Sequence, residues 1–477
     1  MSLLAATTGR TLARASATSI ASSSTCSSGV TVLFESRRYV SGRRRANARK
    51  DRQGATIQRD AMGKPIAAKK ERVPPLFTPL SPESLSDPLF EVSTREEISY
   101  PVFSAETVKE GSIGEALEFS TTREAQEARR QTGLPKTIWK DFKILPKPIS
   151  VVRNVTLQIS KFLSAVQTNK MSSEDARLVF SGRIGSGKSY ALLQAVEWCL
   201  ANGWIVLYIP RAVNLVNSTT PYAYDLRTQT FLQPEAALQI LHRARLANSK
   251  IFKQLKLGKT LNLGEGYKAA PAGMSLYEFC DVSKEEVAKA PAVLELLVEE
   301  LKGQTTHPVL LAVDDFQALF NQSLYRDPHF KPIATYHLSL PRLILSHFSP
   351  PSSPSSPSGG FKFGACLGAL TSSDPAFPIS LELKDMLGVT DQAAQPVIEE
   401  PYIKRSQVLK GYLQGVENVE VENRLTLKEA ASLFEVWMKQ RALSSSAHDE
   451  LFMAKYVESA GNPRDFVWKG LLRTLQA

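Results

Sequence analysis

The sequence predicts an α/β fold: a parallel sheet flanked by helices, with a C-terminal helical lid domain and an extended N-terminal arm. Three observations predict it. A glycine-rich loop separates the short apolar run 178–180 from a helix-forming segment that ends near residue 200. The apolar run 308–314 has no polar alternation, which is typical of a strand buried on both faces of a parallel sheet. Two helix-capping patterns follow after residue 400, at 426–429 and 461–464.

The glycine-rich loop reads Gly-Arg-Ile-Gly-Ser-Gly-Lys-Ser over residues 182–189. It matches the P-loop pattern, in which backbone N–H groups cradle phosphates, a lysine reaches the β- and γ-phosphate oxygens and a hydroxyl ligates Mg²⁺. The phosphates then lie at a helix N-terminus, which favours anions. The alternative is a Gly/Ser turn that opens an ordinary helix. We predict a P-loop NTPase domain whose nucleotide-binding residues include Gly182, Arg183, Ile184, Gly185, Ser186, Gly187, Lys188, Ser189 and Tyr190.

Further strands are predicted at 204–210, 308–314 and 361–371. Asp314 ends the second of these, and ligands of open α/β sheets bind at the carboxyl ends of the strands. We therefore expect Asp314 and Ser189 to hold Mg²⁺. Asp315 is the candidate catalytic residue that orients an attacking water, or else it caps the next segment. The hydroxyl of Thr371 either senses the γ-phosphate or caps a turn.

Helices are predicted around these strands, at 122–132, 155–166, 190–200, 234–247 and 282–302. The first is expected to end at Gly133, and the third is closed by Asn202-Gly203. Residues 400–477 also read as helical. Thr426 and Glu429 form a capping box that opens a helix through about residue 439.

A second cap lies near the C-terminus. Asn462 and Pro463 fit the cap and the first position of a helix. Arg464 then lies in the first turn of a lid helix and is a candidate to reach the γ-phosphate. The alternative is an exposed arginine beside Asp465.

The net charge of +11 belongs to the N-terminal arm. The first 72 residues contain 15 Lys/Arg and 4 Asp/Glu, whereas residues 73–477 contain 43 of each sign. Residues 1–34 have no acidic residue and are rich in Ser, Thr and Ala, a composition typical of a mitochondrial transit peptide, and Arg37-Arg38-Tyr39 resembles a processing site. We predict import into the mitochondrial matrix. No apolar run reaches ~18 residues, so no membrane span is expected.

The arm downstream of this address is basic. With few apolar residues it cannot bury a core, and short basic arms of this kind neutralise phosphates and fold on RNA. A solvated linker is the alternative. The candidate RNA-binding residues are Arg43, Arg44, Arg45, Arg49, Lys50 and Arg52.

We predict four parts of the chain: a transit peptide at 1–39, a basic and then Pro-rich extended arm at 40–149, a P-loop nucleotide-binding domain at 150–375 and a helical lid domain at 376–477. The nucleotide-binding domain contains a Pro/Ser-rich loop at 349–360, expected to be disordered. Cys26, Cys199, Cys280 and Cys366 show no metal-binding spacing, and Cys199 and Cys366 are expected to be reduced core residues.

The combination of P-loop, Asp-ended strand, polar end of the last strand and Gly461-Asn-Pro-Arg464 resembles the AAA+/STAND class of P-loop NTPases. Two further segments indicate a narrower family within that class. They are Leu311-Ala-Val-Asp-Asp-Phe-Gln-Ala-Leu-Phe320 and Tyr336-His-Leu-Ser-Leu-Pro341-Arg-Leu. With the mitochondrial address, they resemble the death-associated protein family of the mitochondrial small ribosomal subunit. The similarity covers roughly residues 130–477.

This resemblance implies a structural ribosomal protein that binds GTP or GDP with Mg²⁺ and contacts small-subunit rRNA and other mitochondrial ribosomal proteins. The nucleotide is expected to be hydrolysed slowly or not at all. The residues do not distinguish GTP from ATP, because the Asn-Lys-x-Asp motif by which small GTPases recognise guanine is absent. The nearest match, Asn169-Lys170-Met171-Ser172, lacks the Asp. The alternatives are an active mitochondrial AAA+ ATPase, for which Asp315 replaces the usual Glu, and a STAND-type switch.

Overall fold

A computed structural model describes residues 99–145, 147–263, 267, 269–350, 359–371, 374–388, 404–439 and 448–472. The predicted transit peptide, all six candidate RNA-binding residues and most of the Pro/Ser-rich loop lie outside these residues. The predicted domain boundaries stay predictions. No helix in the described ranges is long and apolar enough to cross a membrane.

The centre of the molecule is a parallel sheet of five strands. In chain order the described strands are β1 (Ala116–Glu118), β2 (Ile149–Val151), β3 (Arg177–Ser181), β4 (Ile205–Ile209), β5 (Ala223–Asp225), β6 (Thr230–Leu232), β7 (Val309–Asp314), β8 (Gln322–Arg326), β9 (Pro332–Ala334), β10 (Gly364–Ala369) and β11 (Glu417–Glu420). The sheet order is β11-β3-β10-β7-β4, and each neighbouring pair is parallel. The pairs β1–β2, β5–β6 and β8–β9 form three separate antiparallel ribbons.

Helices cover both faces of this sheet. In chain order the described α-helices are α1 (Arg123–Thr132), α2 (Lys136–Ile144), α3 (Asn154–Asn169), α4 (Lys188–Ala201), α5 (Pro234–Ala247), α6 (Ser249–Gln254), α7 (Leu276–Phe279), α8 (Ala290–Gly303), α9 (Ser339–Phe348), α10 (Leu381–Leu387), α11 (Gln407–Gly411), α12 (Leu427–Lys439), α13 (Asp449–Glu458) and α14 (Pro463–Asp465). A π-helical stretch, Phe466–Leu471, continues from α14. Short 3₁₀ turns lie at Glu110–Ser112, Ala212–Leu215, Lys284–Lys289, Phe316–Phe320 and Thr335–His337.

The core is divided by the sheet because successive strand residues point to opposite faces. In β3, Val179 faces one side with α5, α8 and α9, and Phe180 faces the other side with α3 and α4. Every residue of β3, β4, β7 and β10 is buried. This explains why these runs lack polar alternation, and it confirms the predicted α/β class with a parallel sheet flanked by helices.

Several predicted elements are confirmed. Helix α5 begins at Pro234 and ends at Ala247, as predicted, and α1 ends before Gly133, whose φ is +81°. Helix α4 extends the predicted segment by a few residues, and Gly203 follows its cap with φ +73°. Cys199 and Cys366 are buried and free of disulfides.

Two elements differ from the prediction. The segment 282–302 is a 3₁₀ turn followed by α8, because the chain kinks at Glu286, where φ and ψ leave the helical region. The region after residue 400 is not all helical, since β11 adds a fifth strand beside β3 at the edge of the sheet. Most of β11 is exposed and polar, so no apolar pattern in the sequence marks it.

The lid has a small core of its own. The capping box is present: the Thr426 N–H donates to Glu429 Oε2 at 2.9 Å, and the Glu429 N–H donates to Thr426 Oγ1 at 3.3 Å. Helix α12 then packs Phe434 and Trp437 against the π-helical stretch after α14 through Phe466. Asn462, directly before α14, contacts the glycine-rich loop at the Ile184 carbonyl.

Candidate functional site

The glycine-rich loop connects the end of β3 to the start of α4, as a P-loop requires. Gly182, Gly185 and Gly187 have φ values of +136°, +82° and +99°, which residues with a Cβ rarely adopt. At Gly185 space is also limiting, since an added Cβ would lie 2.5 Å from Asn462 Oδ1. The three glycines therefore allow a tight turn that presents backbone N–H groups at the N-terminus of α4.

Lys188 is buried at the first position of α4. Its Nζ donates to the carbonyl oxygens of Gly182 at 2.7 Å and Arg183 at 2.8 Å. Burial lowers the pKa of Lys188 to about 8, and the nearby Asp314 carboxylate opposes that shift. The ammonium group is thus held inside the loop, where it could exchange these carbonyl contacts for contacts to a bound anion.

Asp314 ends β7 next to the loop, and three donors converge on its Oδ1. Ser189 Oγ lies at 3.0 Å, Thr371 Oγ1 at 3.1 Å and the backbone N of Asp315 at 3.0 Å. Burial and the neighbouring Asp315 carboxyl raise the pKa of Asp314 well above its usual range. The structure thus brings together the three predicted residues Ser189, Asp314 and Thr371, which come from a helix and two neighbouring strands.

Asp315 forms an ion pair with Arg211. Its Oδ2 lies 3.6 Å from Arg211 Nε, and the same guanidinium lies 3.4 Å from Asp374 Oδ2. Asp315 also stands at the cap position of the 3₁₀ turn Phe316–Phe320 with a left-handed φ of +58°, but its side chain makes no capping hydrogen bond. Burial raises the pKa of Asp315, and the charge of Arg211 opposes this. Its predicted catalytic role stays a prediction.

Thr371 is fixed by a residue that the sequence does not single out. Gln317 accepts from the Thr371 N–H at 2.9 Å through Oε1, and its Nε2 donates to the Thr371 carbonyl. Gln317 is fully buried. This two-point contact holds Thr371, two residues after the end of β10, beside Asp314.

The lid begins directly on the loop. Asn462 caps α14 by accepting from the backbone N–H groups of Arg464 and Asp465, which confirms the predicted cap. Its Nδ2 donates to the Ile184 carbonyl at 3.0 Å, and the Arg464 N–H donates to the Gly185 carbonyl at 3.2 Å. Arg464 is exposed and lines the cavity beside the loop.

Arg153 joins the loop to the lid, and no sequence pattern marks it. Its guanidinium donates to the carbonyls of Ser186 at 2.6 Å, Glu422 at 2.9 Å and Arg424 at 3.2 Å. Its Nε lies 3.6 Å from Glu429 Oε2, so it also contacts the capping box of α12. Arg153 is buried and serves as a positioning residue for the loop.

A cavity of about 210 Å³ extends from the loop between α2, β2, the start of α4 and the lid. Its loop end includes Gly185, Lys188 and Ser189. Its far walls are largely apolar and include Ile138, Leu145, Ile149, Leu433, Trp437, Val467 and Trp468. Tyr190, the last predicted loop residue, lines this cavity and donates from its hydroxyl to Asp141 Oδ2 at 2.7 Å.

The residues present fit a triphosphate and a divalent cation. In P-loop NTPases the ion is held by the loop hydroxyl and by a carboxylate at the end of a neighbouring strand, and here those two groups are within 3.0 Å. Gly187, directly before Lys188, has left-handed backbone with φ +99°, which lets the loop turn its backbone towards a phosphate. The hard oxygen ligands of Ser189 and Asp314 suit Mg²⁺, which typically takes one or two protein ligands plus phosphate oxygens.

Comparison with known proteins identifies the family. Residues 150–468 match the model for mitochondrial ribosomal death-associated protein 3. The small ribosomal subunit protein mS29 of Neurospora crassa is 25% identical over 72% of this chain and 71% of the relative. The protein of the same name from Schizosaccharomyces pombe is 26% identical over 69% and 65%, and that from Mus musculus is 24% identical over 49% and 59%. The chain spans just under two thirds of the S. pombe relative. The chain belongs to the mitochondrial ribosomal death-associated protein 3 family.

Proposed function

We propose that this protein is a component of the small subunit of the mitochondrial ribosome that binds a purine nucleoside triphosphate, GTP in the first place, with Mg²⁺ as a structural element. The ribosomal part follows from family membership, which places the chain in the mitochondrial ribosome, in the matrix. Its partners are accordingly rRNA and other ribosomal proteins.

The convergence on Asp314 is the observation that carries the nucleotide proposal. The buried carboxylate of Asp314 accepts a hydrogen bond from the Ser189 hydroxyl. Ser189 directly follows Lys188 at the N-terminus of α4, and the loop before this helix contains three glycines with positive φ. The loop N–H groups and Lys188 would bind the phosphates of a nucleotide, and Ser189 and Asp314 would hold its Mg²⁺. The metal supplies charge neutralisation of the phosphates.

The contacts of the lid support a structural role for the nucleotide. Asn462 and Arg464 hydrogen-bond to loop carbonyls, and Arg153 spans the loop and the segment before α12. A ligand that orders the loop would therefore also order the lid. We propose that the occupied loop is required for stable incorporation into the subunit.

Lys188→Ala tests this proposal. We expect the dissociation constant for GTP with Mg²⁺, measured by calorimetry on the purified chain, to rise about 10- to 100-fold, because the substitution removes a charge-assisted hydrogen bond to phosphate. Sucrose-gradient sedimentation of mitochondrial lysate should show less of the variant with the small subunit. Lys161→Ala is the control, since Lys161 lies on α3 with an exposed side chain paired with Glu110. Unchanged GTP affinity in Lys188→Ala would refute the site, and normal assembly without bound nucleotide would refute its structural role.

A further inference from the structure

The cavity beside the loop has a lining that suits a nucleoside as well as phosphates. Beyond Lys188 and Ser189 its walls come from α2, β2 and the lid, and are mostly apolar. Trp437 and Trp468 belong to these walls. Aromatic and aliphatic walls next to a phosphate-binding loop suit a purine base, since bases stack on aromatic and apolar side chains and a few polar groups fix their orientation.

Three charged side chains besides Lys188 line this cavity: the basic Arg153 and Arg464, and the acidic Asp141. Asp141 lies on α2 and is 7% exposed. Its Oδ2 accepts from the Tyr190 hydroxyl at 2.7 Å, and its Oδ1 has no hydrogen-bond partner among the residues that the structure describes. Burial raises the pKa of Asp141 to about 6, and the Tyr190 hydrogen bond opposes that shift. An unpartnered buried carboxylate oxygen destabilises the protein unless something else donates to it.

A neighbouring polar residue of the wall, Gln194, already has protein partners. Gln194 donates to Ser150 Oγ at 2.7 Å and to the Val151 carbonyl at 3.0 Å, and its Oε1 accepts from Thr156 Oγ1 at 2.7 Å. Both ends of this amide are therefore occupied by the protein. Asp141 differs because it keeps an acceptor for a ligand.

We propose that Asp141 is the residue that reads the base of the bound nucleotide and selects guanine, by accepting hydrogen bonds from the N1–H and the exocyclic amino group of that base. This inference rests on the proposed nucleotide function. An ionised carboxylate only accepts hydrogen bonds. Guanine offers two adjacent donors on one edge, whereas adenine offers an unprotonated N1 at the corresponding position. Adenine would leave Oδ1 of Asp141 unpaired in an apolar wall, so it is disfavoured.

Tyr190 gives the arrangement its geometry. Its hydroxyl occupies one oxygen of Asp141 and so fixes the rotation of the carboxylate, and its ring contacts Phe142 edge-on at 6.4 Å between centroids. Tyr190 directly follows Ser189 in the chain, so the group that orients the base reader is tied to the phosphate-binding loop. Tyr190 is a positioning residue in this scheme. The missing Asn-Lys-x-Asp motif is replaced by a carboxylate on a different helix.

A change of base preference tests the proposal. In Asp141→Asn the side chain gains an N–H₂ donor, which pairs with xanthine, a base that carries a carbonyl where guanine carries its amino group. Calorimetry with Mg²⁺ and GTP, ATP or xanthosine triphosphate on the purified full chain should show wild type preferring GTP over ATP by about 100-fold. Asp141→Asn should weaken GTP binding by about 100-fold and strengthen xanthosine triphosphate binding by at least 10-fold. An unfolded variant cannot produce such a gain.

The outcomes separate the two proposals. Equal affinity of wild type for GTP and ATP, or an Asp141→Asn variant that keeps the wild-type order of the three nucleotides, overturns the base-reading role and leaves nucleotide binding intact; Asp141 then only holds Tyr190. Failure of wild type to bind any triphosphate overturns the proposed function and this inference with it. Tyr190→Phe adds a graded readout, because the preference for GTP over ATP is expected to fall by about 10-fold when the carboxylate is no longer oriented.

Discussion

At the residue level, burial shifts the pKa values of several side chains and so sets their charge at neutral pH. His347, away from the glycine-rich loop, shows this effect. The ring lies on α9, is 2% exposed and stacks on Phe361 with centroids 4.6 Å apart. Neither ring nitrogen has a hydrogen-bond partner in the described parts of the chain. Burial, with a contribution from the charge of Lys302, lowers the pKa of His347 to about 3. The imidazole is therefore neutral in the folded protein at neutral pH.

His347 should make the protein acid-sensitive. Between pH 6.5 and about 3 the unfolded chain protonates this ring and the folded chain does not, so the unfolded state binds more protons and stability falls as the pH falls. His347→Phe keeps an aromatic ring for the stacking and removes the titrating group. Between pH 7 and pH 5 we expect the unfolding free energy of wild type to fall by about 2 kcal/mol more than that of His347→Phe. Urea unfolding at both pH values measures this. His329→Gln is the control because His329 is exposed, and identical pH dependence of His347→Phe and wild type would contradict the prediction.

At the scale of elements, the glycine-rich loop and the first turn of the lid are built against each other. Gly185 combines φ +82° with close contacts to two lid residues, since an added Cβ would lie 2.5 Å from Asn462 Oδ1 and 2.9 Å from Arg464 Cβ. The loop thus needs glycine here for two separate reasons. One is the conformation of its own backbone, and the other is the approach of α14.

The two reasons can be separated by experiment. Gly203, after α4, has a similar φ of +73°, but no atom of the described residues lies within 4 Å of an added Cβ. Gly203→Ala should cost about 1–2 kcal/mol of unfolding free energy from backbone strain alone. Gly185→Ala should cost about 1–3 kcal/mol more because it also displaces the lid, and it should weaken GTP binding by at least 10-fold where Gly203→Ala does not. Equal effects of the two substitutions on stability and on GTP affinity would show that the loop and the lid are not coupled.

At the scale of the whole molecule, charge is divided between a basic arm and a neutral body. The first 72 residues carry the entire excess of +11, and residues 73–477 carry equal numbers of both signs. A neutral body has little long-range attraction for RNA, so we propose that the arm supplies the phosphate contacts. The body can then form specific contacts with rRNA and ribosomal proteins.

Removing residues 40–72 tests this division. We expect the shortened chain to bind small-subunit rRNA more weakly at low salt, with a log–log salt slope reduced by about 0.7 to 0.9 for each phosphate that the arm no longer neutralises. Replacement of Arg43, Arg44, Arg45, Arg49, Lys50 and Arg52 by Gln in the full chain keeps the length and removes the charge. If charge is the cause, this variant shows a similar though smaller effect. An rRNA affinity and salt slope equal to those of wild type in both variants would rule out the arm as the RNA contact.

The features that could be predicted from the sequence depend on residues close together in the chain. Glycine spacing defined the loop, apolar runs defined β3, β4, β7 and β10, and the caps at Thr426 and Asn462 were readable because a cap joins residues three positions apart or less. Asp314 could be placed at the carboxyl edge of the sheet because it ends an unbroken apolar run.

The residues that complete the site from distant parts of the chain could be identified only in the folded protein. Arg153 meets Glu422 across 269 positions of sequence, and Asp141 meets Tyr190 across 49. Neither contact produces a periodic or local pattern in the sequence. A single polar residue in a helical segment gives the same sequence pattern whether its side chain faces solvent or a cavity. Strand β11 likewise owes its place in the sheet to pairing with β3 rather than to its own composition. Local hydrogen bonding and burial are determined within short segments, whereas the pairing of separated polar groups exists only once the chain has folded.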